Sequence, residues 1–155
     1  MITAWRIVKA RHVGGAFDGE GARVFGGRWN SPGVSMVYVA STRSLAVLEM
    51  AVHLDRSAVL ESFVLIPCQF DDRLVTSIGR AALPAHWRSD PPPAELATVG
   101  DAWIRERRSP ALAVPSAIID EELNYLLNPL HPHFSQIRIG VPQAFEFDRR
   151  LITIK

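Results

Sequence analysis

A single carboxylate in the middle of an otherwise apolar helix is the feature that most restricts how this chain can fold. Ser41 or Thr42 can cap a helix from about Arg43 to Leu54, whose apolar residues cover most of its circumference. Glu49 falls inside this helix, with mainly apolar neighbours three and four residues away. A carboxylate in such surroundings requires a partner or a shifted pKa, and both situations concentrate at functional sites. A structural pair with His53, four residues later, is the alternative interpretation.

Length and charge limit the number of domains and the kinds of partner. With 155 residues and 48% hydrophobic composition, the chain is predicted to form one domain over residues 1–155. A formal charge of +1 argues against direct binding to nucleic acid or to an anionic membrane. No stretch is apolar enough to span a bilayer and the N-terminus lacks a secretory pattern, so we expect a cytoplasmic protein. Cys68 is predicted to be a buried structural thiol rather than a nucleophile.

Many short strands with two helices, without regular alternation of the two, predict an α+β fold. Gly14 to Gly21 is expected to be a loop, and Pro67 to mark a strand edge or a bulge. A second helix is predicted from about Ala94 to Arg108, after three prolines. Strands are predicted at Ala4–Val8, Ala22–Phe25, Met36–Ala40 and Val59–Phe70, with a final hairpin formed by Phe145–Phe147 and Leu151–Ile154.

Arg28 follows Gly26 and Gly27, and this arrangement suits an anion. Backbone N–H groups can converge at a glycine turn, while the planar guanidinium offers two parallel donors to a phosphate. A surface arginine after a hairpin turn is the alternative. Arg6 on the first strand could add a second positive charge, and Tyr38 could offer a ring face to the same cleft, although a strand tyrosine is more commonly a core residue.

Small polar residues form a second cluster further along the chain. Ser116 interrupts an apolar run, and Asn124 and Asn128 bracket another. Such side chains need partners from the local backbone or from a ligand, so each is a turn-former or a site residue. The histidines fit no standard zinc spacing, and no metal site is predicted.

Together these motifs resemble the RES domain, a family named for an arginine, a glutamate and a serine, which match Arg28, Glu49 and Ser116. The resemblance covers nearly the whole chain. It rests on Gly26–Asn30, Val37–Ala40, Leu48–Glu49 with His53, Pro115–Ser116 and Asn124–Pro132. It implies a compact fold like that of ADP-ribosyltransferases, with short, mostly antiparallel strands around a central NAD cleft and a few helices. It also implies NAD as substrate rather than cofactor, and a toxin neutralised by an antitoxin with an Xre-like helix-turn-helix domain.

The resemblance also suggests roles for individual residues. Arg28, helped by Arg6, would hold the diphosphate or its adjoining ribose, and Glu49 would stabilise positive charge that develops on the ribose. Tyr38 would stack near nicotinamide. The expected catalytic residues are therefore Arg28, Glu49 and Tyr38, and the expected NAD contacts are Arg6, Arg28, Trp29, Asn30, Tyr38, Ser116 and Asn124.

The acceptor of ADP-ribose stays open at the level of sequence. Water would make the protein an NAD glycohydrolase, phosphate an NAD phosphorylase, and a protein side chain an ADP-ribosyltransferase that modifies a host metabolic enzyme. We favour degradation of NAD, with protein modification as the alternative. A different class of function is a non-catalytic module that binds an antitoxin, which Trp87 and Trp103 would support if both were exposed.

Overall fold

A computed structural model describes residues 1–152 of the chain, apart from the side chain of Val59. In this part of the chain, eight strands form one sheet in the order β4-β5-β6-β2-β1-β3, with β7 and β8 both pairing with β3. All pairs are antiparallel except β4 with β5. The strands are β1 Ile2–Lys9, β2 Val37–Ala40, β3 Phe63–Phe70, β4 Val75–Ser77, β5 Ala111–Pro115, β6 Leu123–Leu127, β7 Arg138–Ile139 and β8 Gln143–Phe145.

The helices that flank the sheet are α1 Glu20–Phe25, α2 Arg43–Ala51 and α3 Ala94–Glu106. The predicted cap of α2 is confirmed, because the Thr42 side chain accepts a hydrogen bond from the Leu45 N–H at 3.0 Å. The α+β class, with short and mostly antiparallel strands and few helices, is therefore confirmed.

The prediction of a strand at Ala22–Phe25 is wrong, because these residues belong to α1. Gly19, at φ 74°, turns the chain into the helix, and the Asp18 carboxylate accepts a hydrogen bond from the Glu20 N–H at 2.8 Å. Glu20 and Arg23 then form an ion pair one turn apart. These local polar contacts outweigh the β-propensity of Val24 and Phe25. Of the loop expected at Gly14 to Gly21, the first two residues end a 3₁₀ helix at Ala10–Gly15 and the last two begin α1.

The predicted final hairpin is wrong in its described part. Phe145 ends β8 opposite Phe63, and Phe147 packs edge-on against the Phe63 ring at 4.9 Å between centroids. The chain then makes a 3₁₀ turn at Arg149–Leu151, whose first turn is capped by the Asp148 carboxylate. Residues 153 and 154 of the predicted strand lie outside the described residues.

Strand β3 begins four residues later than predicted, because Arg56–Leu60 forms a 3₁₀ helix. Strand β3 pairs with β1 on one side and with β7 and β8 on the other, so Pro67 does not lie on a free edge of the sheet. It falls between the short stretches that pair with β8 and β7, where its carbonyl accepts the Gly140 N–H at 2.7 Å. A residue without an N–H therefore interrupts no ladder there.

The sheet buries apolar side chains on both faces. One face carries Ala4, Val37, Val39, Cys68 and Phe70, and the other packs Ile7, Ala40, Leu112 and Leu126 under α2 and α3. Burial raises the pKa of the Cys68 thiol to about 12, which confirms the prediction of a structural thiol.

Trp87 and Trp103 contradict the expectation of exposed aromatics. Their exposed fractions are 7% and 1%, and both belong to the core beside α3. They therefore give no support to a surface for a protein partner. Among the described residues, no helix is long and apolar enough to cross a membrane.

Candidate active site

The Glu49 carboxylate is held by side chains from two other parts of the chain. Its Oε1 atom accepts hydrogen bonds from the Ser116 hydroxyl at 2.7 Å and from the Asn124 amide at 2.6 Å. Glu49 lies on α2, Ser116 directly follows β5, and Asn124 lies on β6. The structure thus brings together three of the predicted site residues. No hydrogen bond or ion pair joins Glu49 to His53, which is exposed, within the described residues.

Ser116 supports the acid from a fully buried position. Its exposed fraction is 0%, and its Oγ accepts hydrogen bonds from the N–H groups of Ile118 and Ile119, both at 3.1 Å. Since these two donors occupy the oxygen's lone pairs, the hydroxyl hydrogen is directed at Glu49. We expected Ser116 to contact a ligand. The structure instead uses it to orient the carboxylate.

Glu49 retains an available oxygen and an uncompensated charge. Its side chain is half-buried, and within residues 1–152 its Oε2 accepts no hydrogen bond and no cation lies within 4.0 Å of the carboxylate. Two neutral donors therefore fix a carboxylate that no cation within the described range faces. Such a group can accept a hydrogen bond from a hydroxyl group or stabilise an adjacent positive charge.

The turn that carries Arg28 is built around a buried amide. Asn30 is 1% exposed and its Nδ2 donates to the carbonyls of Ala22, Ser31 and Val34 at 2.8, 3.2 and 3.0 Å. Its Oδ1 accepts the Tyr38 hydroxyl at 2.6 Å. Asn30 therefore holds the turn together, with both amide hydrogens donated to backbone carbonyls and the amide oxygen accepting the Tyr38 hydroxyl.

Glycine is required in this turn for a specific reason. Tyr38 also accepts the Trp29 N–H at 3.1 Å, which places its hydroxyl directly under the turn. A Cβ on Gly27 would lie 2.7 Å from that hydroxyl oxygen, and Gly26 adopts φ 72°. Gly27 therefore allows the backbone to approach Tyr38 closely, and Gly26 allows the positive φ of the turn.

Arg28 projects from this turn and is partly engaged. Its Nη1 donates to the carbonyls of Trp87 and Ser89 at 2.9 and 3.0 Å. In the described part of the chain, its Nε and Nη2 have no hydrogen-bond partner. A half-buried guanidinium anchored by one nitrogen and free at another edge can bind an oxyanion with two parallel hydrogen bonds.

Trp29 and Asn30 do not fit the expected role of NAD contacts. Trp29 is 3% exposed and packs with Met36, Leu96 and Trp103 in the core. The Asn30 side chain is 1% exposed, and its amide is hydrogen-bonded to neighbouring protein groups. Both side chains therefore support Arg28 from below, and neither is available to a ligand.

Tyr38 connects the two charged residues through β2. Ala40, two residues further along β2, is paired with Asn124 of β6. Because side chains alternate along a strand, Tyr38, Ala40 and Asn124 share one face of the sheet, and two residues span about 6.6 Å. Burial raises the pKa of the half-buried Tyr38 phenol, which stays protonated and donates to Asn30. One strand thus supports the Arg28 turn and, through Asn124, Glu49.

Arg6 lies apart from this arrangement. Its neighbours Trp5 and Ile7 face α2, so the alternation of β1 directs Arg6 to the opposite face of the sheet. Its guanidinium donates to the carbonyls of Ala16 at 3.0 Å and Tyr38 at 3.2 Å, and burial lowers its pKa to about 10. The expectation that Arg6 joins Arg28 at a diphosphate is therefore not supported by its placement.

Arg88 was missed by the sequence analysis. Its guanidinium donates from Nε to the carbonyl of Ala117 at 2.9 Å and from Nη2 to that of Ile118 at 3.1 Å. These carbonyls belong to the turn that also holds Ser116. The surrounding segment has no periodicity or motif that could have indicated this contact.

Comparison with known proteins gives a consistent picture. The model of the RES domain family matches residues 3–149. "Toxin Res" of Yersinia enterocolitica is 39% identical over 148 residues, covering 95% of this chain and 97% of the relative. "Prs ADP-ribosylating toxin" of Sphingobium sp. strain YBL2 is 36% identical over 153 residues, covering 96% and 95%. The fold resembles a chain of the M. tuberculosis MbcT–MbcA toxin–antitoxin complex, with a TM-score of 0.77, 19% identity, and coverage of 94% and 84%.

Proposed function

The chain belongs to the RES domain family, and we propose that it is the toxin of a bacterial toxin–antitoxin pair that cleaves the nicotinamide–ribose bond of NAD. The observation that carries this proposal is the Glu49 carboxylate, which two neutral donors fix through Oε1 while Oε2 stays available. The resemblance of the whole chain to proteins named as toxins supports the biological role. NAD is the substrate, and the reaction requires no separate cofactor.

Glu49 meets the electronic demand of this reaction. When nicotinamide leaves, positive charge develops on C1 and the ring oxygen of the ribose, as in glycoside cleavage. A carboxylate positioned before the reaction stabilises that charge without reorganisation. With water as acceptor, NAD⁺ and H₂O give ADP-ribose, nicotinamide and one proton. The free Oε2 would accept a hydrogen bond from a ribose hydroxyl, which would place the Glu49 carboxylate beside the reacting carbon.

Arg28 would bind the diphosphate through the nitrogens that the protein leaves free. Anchoring of Nη1 by two carbonyls reduces the freedom of the side chain, so less entropy is lost when the ligand binds. Tyr38 holds the turn beneath Arg28, and its ring lies on the face shared with Asn124. Arg28 and Glu49 would therefore act at opposite ends of the same ligand.

Transfer of ADP-ribose to a protein is the second candidate. One relative, 36% identical, is named an ADP-ribosylating toxin. Both reactions require the same bond cleavage and the same use of Glu49, so they differ only in the nucleophile. The proposed partner in the cytoplasm is an antitoxin with an Xre-like helix-turn-helix domain that covers the cleft. The likeness to a chain from a toxin–antitoxin complex supports such a partner.

Product analysis tests the proposal directly. Purified protein is incubated with adenine-labelled NAD in buffer, with phosphate, and with a cell extract, and the products are separated. Free ADP-ribose with nicotinamide indicates a glycohydrolase, ADP-ribose 1″-phosphate a phosphorylase, and label on a protein band a transferase. Intact NAD in all three incubations would show that the chain is a non-catalytic binding module.

A further inference from the structure

Arg88 uses every nitrogen of its guanidinium to hold one turn. Nε and Nη2 donate to the carbonyls of Ala117 and Ile118, and Nη1 lies 3.6 Å from an Asp120 carboxylate oxygen. The same turn presents the Ile118 and Ile119 N–H groups to Ser116. Arg88 therefore binds the carbonyl groups of this turn, and the N–H groups of the same turn hold the Ser116 hydroxyl that orients Glu49.

The segment around Arg88 also contacts the other charged residue. Arg28 donates to the carbonyls of Trp87 and Ser89, the residues on either side of Arg88. Trp87 is buried in the core, which fixes the segment between these contacts. Hydrogen bonds thus join Arg28 to the backbone of Trp87–Ser89, the Arg88 side chain of that segment to the turn at Ser116, and Ser116 to Glu49.

We propose that Arg88 is a positioning residue that sets the orientation of Glu49 through the Ser116 turn and couples it to the Arg28 end of the site. Arg88 itself touches no reacting atom. Its planar fork is matched to two carbonyls, which lysine, a point charge on a flexible stem, cannot reproduce. This role rests on the proposed function, because it is defined by the turnover of NAD.

Arg80 provides a matched control. It belongs to the same segment and forms an ion pair with the same Asp120 oxygen at 3.0 Å. It makes no hydrogen bond to the carbonyls of Ala117 or Ile118. Loss of Arg80 therefore removes the same charge and an ion pair with the same Asp120 oxygen, without releasing the Ser116 turn.

The experiment measures NAD consumption and amide exchange in the wild type, Arg88→Ala, Arg88→Lys and Arg80→Ala. Misplacement of a catalytic group by a fraction of an ångström lowers kcat, so we expect Arg88→Ala to lose about 10-fold in kcat with KM nearly unchanged. Arg88→Lys falls between it and the wild type. The Ile118 and Ile119 amide hydrogens exchange faster in Arg88→Ala, while Arg80→Ala matches the wild type in both measurements.

The outcomes separate this inference from the function on which it rests. Equal kcat in Arg88→Ala and Arg80→Ala, with an active wild type, overturns the role of Arg88 alone. Unchanged amide exchange in Arg88→Ala overturns it as well, whatever the activity. A wild type that leaves NAD intact refutes both the proposed function and this role. If Arg88→Ala does not fold, as judged by circular dichroism, the comparison of Arg88→Lys with Arg80→Ala decides.

Discussion

The two halves of the candidate site are supported in different ways. Glu49 is fixed by side chains that lie 67 and 75 residues away in the sequence, and its charge faces no cation among the described residues. Arg28 is held by a short turn, a buried amide within that turn, and a tyrosine ten residues later. The acid thus depends on tertiary contacts between side chains. The backbone at Arg28 depends on a local turn, and the Arg28 guanidinium is anchored by the distant carbonyls of Trp87 and Ser89.

This difference indicates how each half responds to change. Removing the Asn124 donor alters the position of a charge, and removing the Ser116 donor also frees the Ile118 and Ile119 N–H groups of its turn. Altering the Arg28 turn disturbs buried hydrogen bonds and the core beneath them. We therefore expect mutations around Glu49 to change activity and mutations beneath Arg28 to change stability.

Glu49→Gln is expected to have the largest effect. The amide oxygen can still accept from Ser116 and Asn124, so the fold is retained while the negative charge is lost. NAD consumption should fall by about 100-fold or more, the order seen for groups that stabilise charge in a transition state. A nicotinamide-release assay measures this, with Glu95→Gln, an exposed carboxylate on α3, as the control. Turnover at the wild-type rate would remove Glu49 from the mechanism.

Gly100→Ala tests the support beneath Arg28. A Cβ at this position would lie 1.7 Å from the Trp29 carbonyl oxygen, so α3 or the turn must move. The free energy of unfolding should fall by about 2 kcal/mol, as for overpacked cores. Urea denaturation measures the loss, and Gly79→Ala, where a Cβ meets nothing within 4 Å, serves as the control. Equal stability of the two variants contradicts the tight contact.

Ser116→Ala removes one of the two donors to Glu49. The carboxylate keeps its bond to Asn124 but loses directional control, so kcat should fall by about 10-fold with little change in KM. Steady-state kinetics measures both parameters, with the exposed Ser135→Ala as the control. An increase in KM alone would indicate that Ser116 contacts the substrate, as the sequence first suggested.

Tyr38→Phe has the smallest expected effect and separates support from chemistry. The ring remains, but Asn30 Oδ1 and the Trp29 N–H lose their common partner. We expect a loss of about 1 kcal/mol in stability, the usual contribution of a hydrogen bond, and nearly unchanged turnover. Thermal denaturation and the nicotinamide assay measure the two effects. A large loss of activity at full stability would give the hydroxyl a role in the reaction.

Local signals were enough to predict α2 with its Thr42 cap, α3 after its prolines, and the strands β1, β2 and β3. They failed at α1, where Asp18, Gly19 and Glu20 carry a start signal that the β-branched and aromatic residues after them obscured. The last hairpin failed because Phe147 packs onto Phe63, a contact that depends on the finished sheet.

In the candidate site, too, the features set by local sequence could be predicted and those set by long-range packing could not. The sequence alone showed the unusual placement of Glu49 in an apolar helix and of Ser116 in an apolar run, and the family resemblance linked the two residues. Trp29, Asn30 and Ser116 were expected to contact the ligand, and the structure places them in buried, supporting positions. The sequence could not show this, because long-range packing determines which side chains are buried. The role of Arg88 could not be predicted either, because its partners are backbone carbonyl groups, which every residue carries.

The contact between Gly100 and the Trp29 carbonyl also has a mechanical consequence. Helix α3 touches the backbone of the Arg28 turn with no side chain between them, so a displacement of the helix is transmitted directly to the peptide next to the guanidinium. The far side of α3 carries exposed residues such as Glu95 and Arg105. A load applied at that surface would reach one end of the site without passing through the Glu49 end.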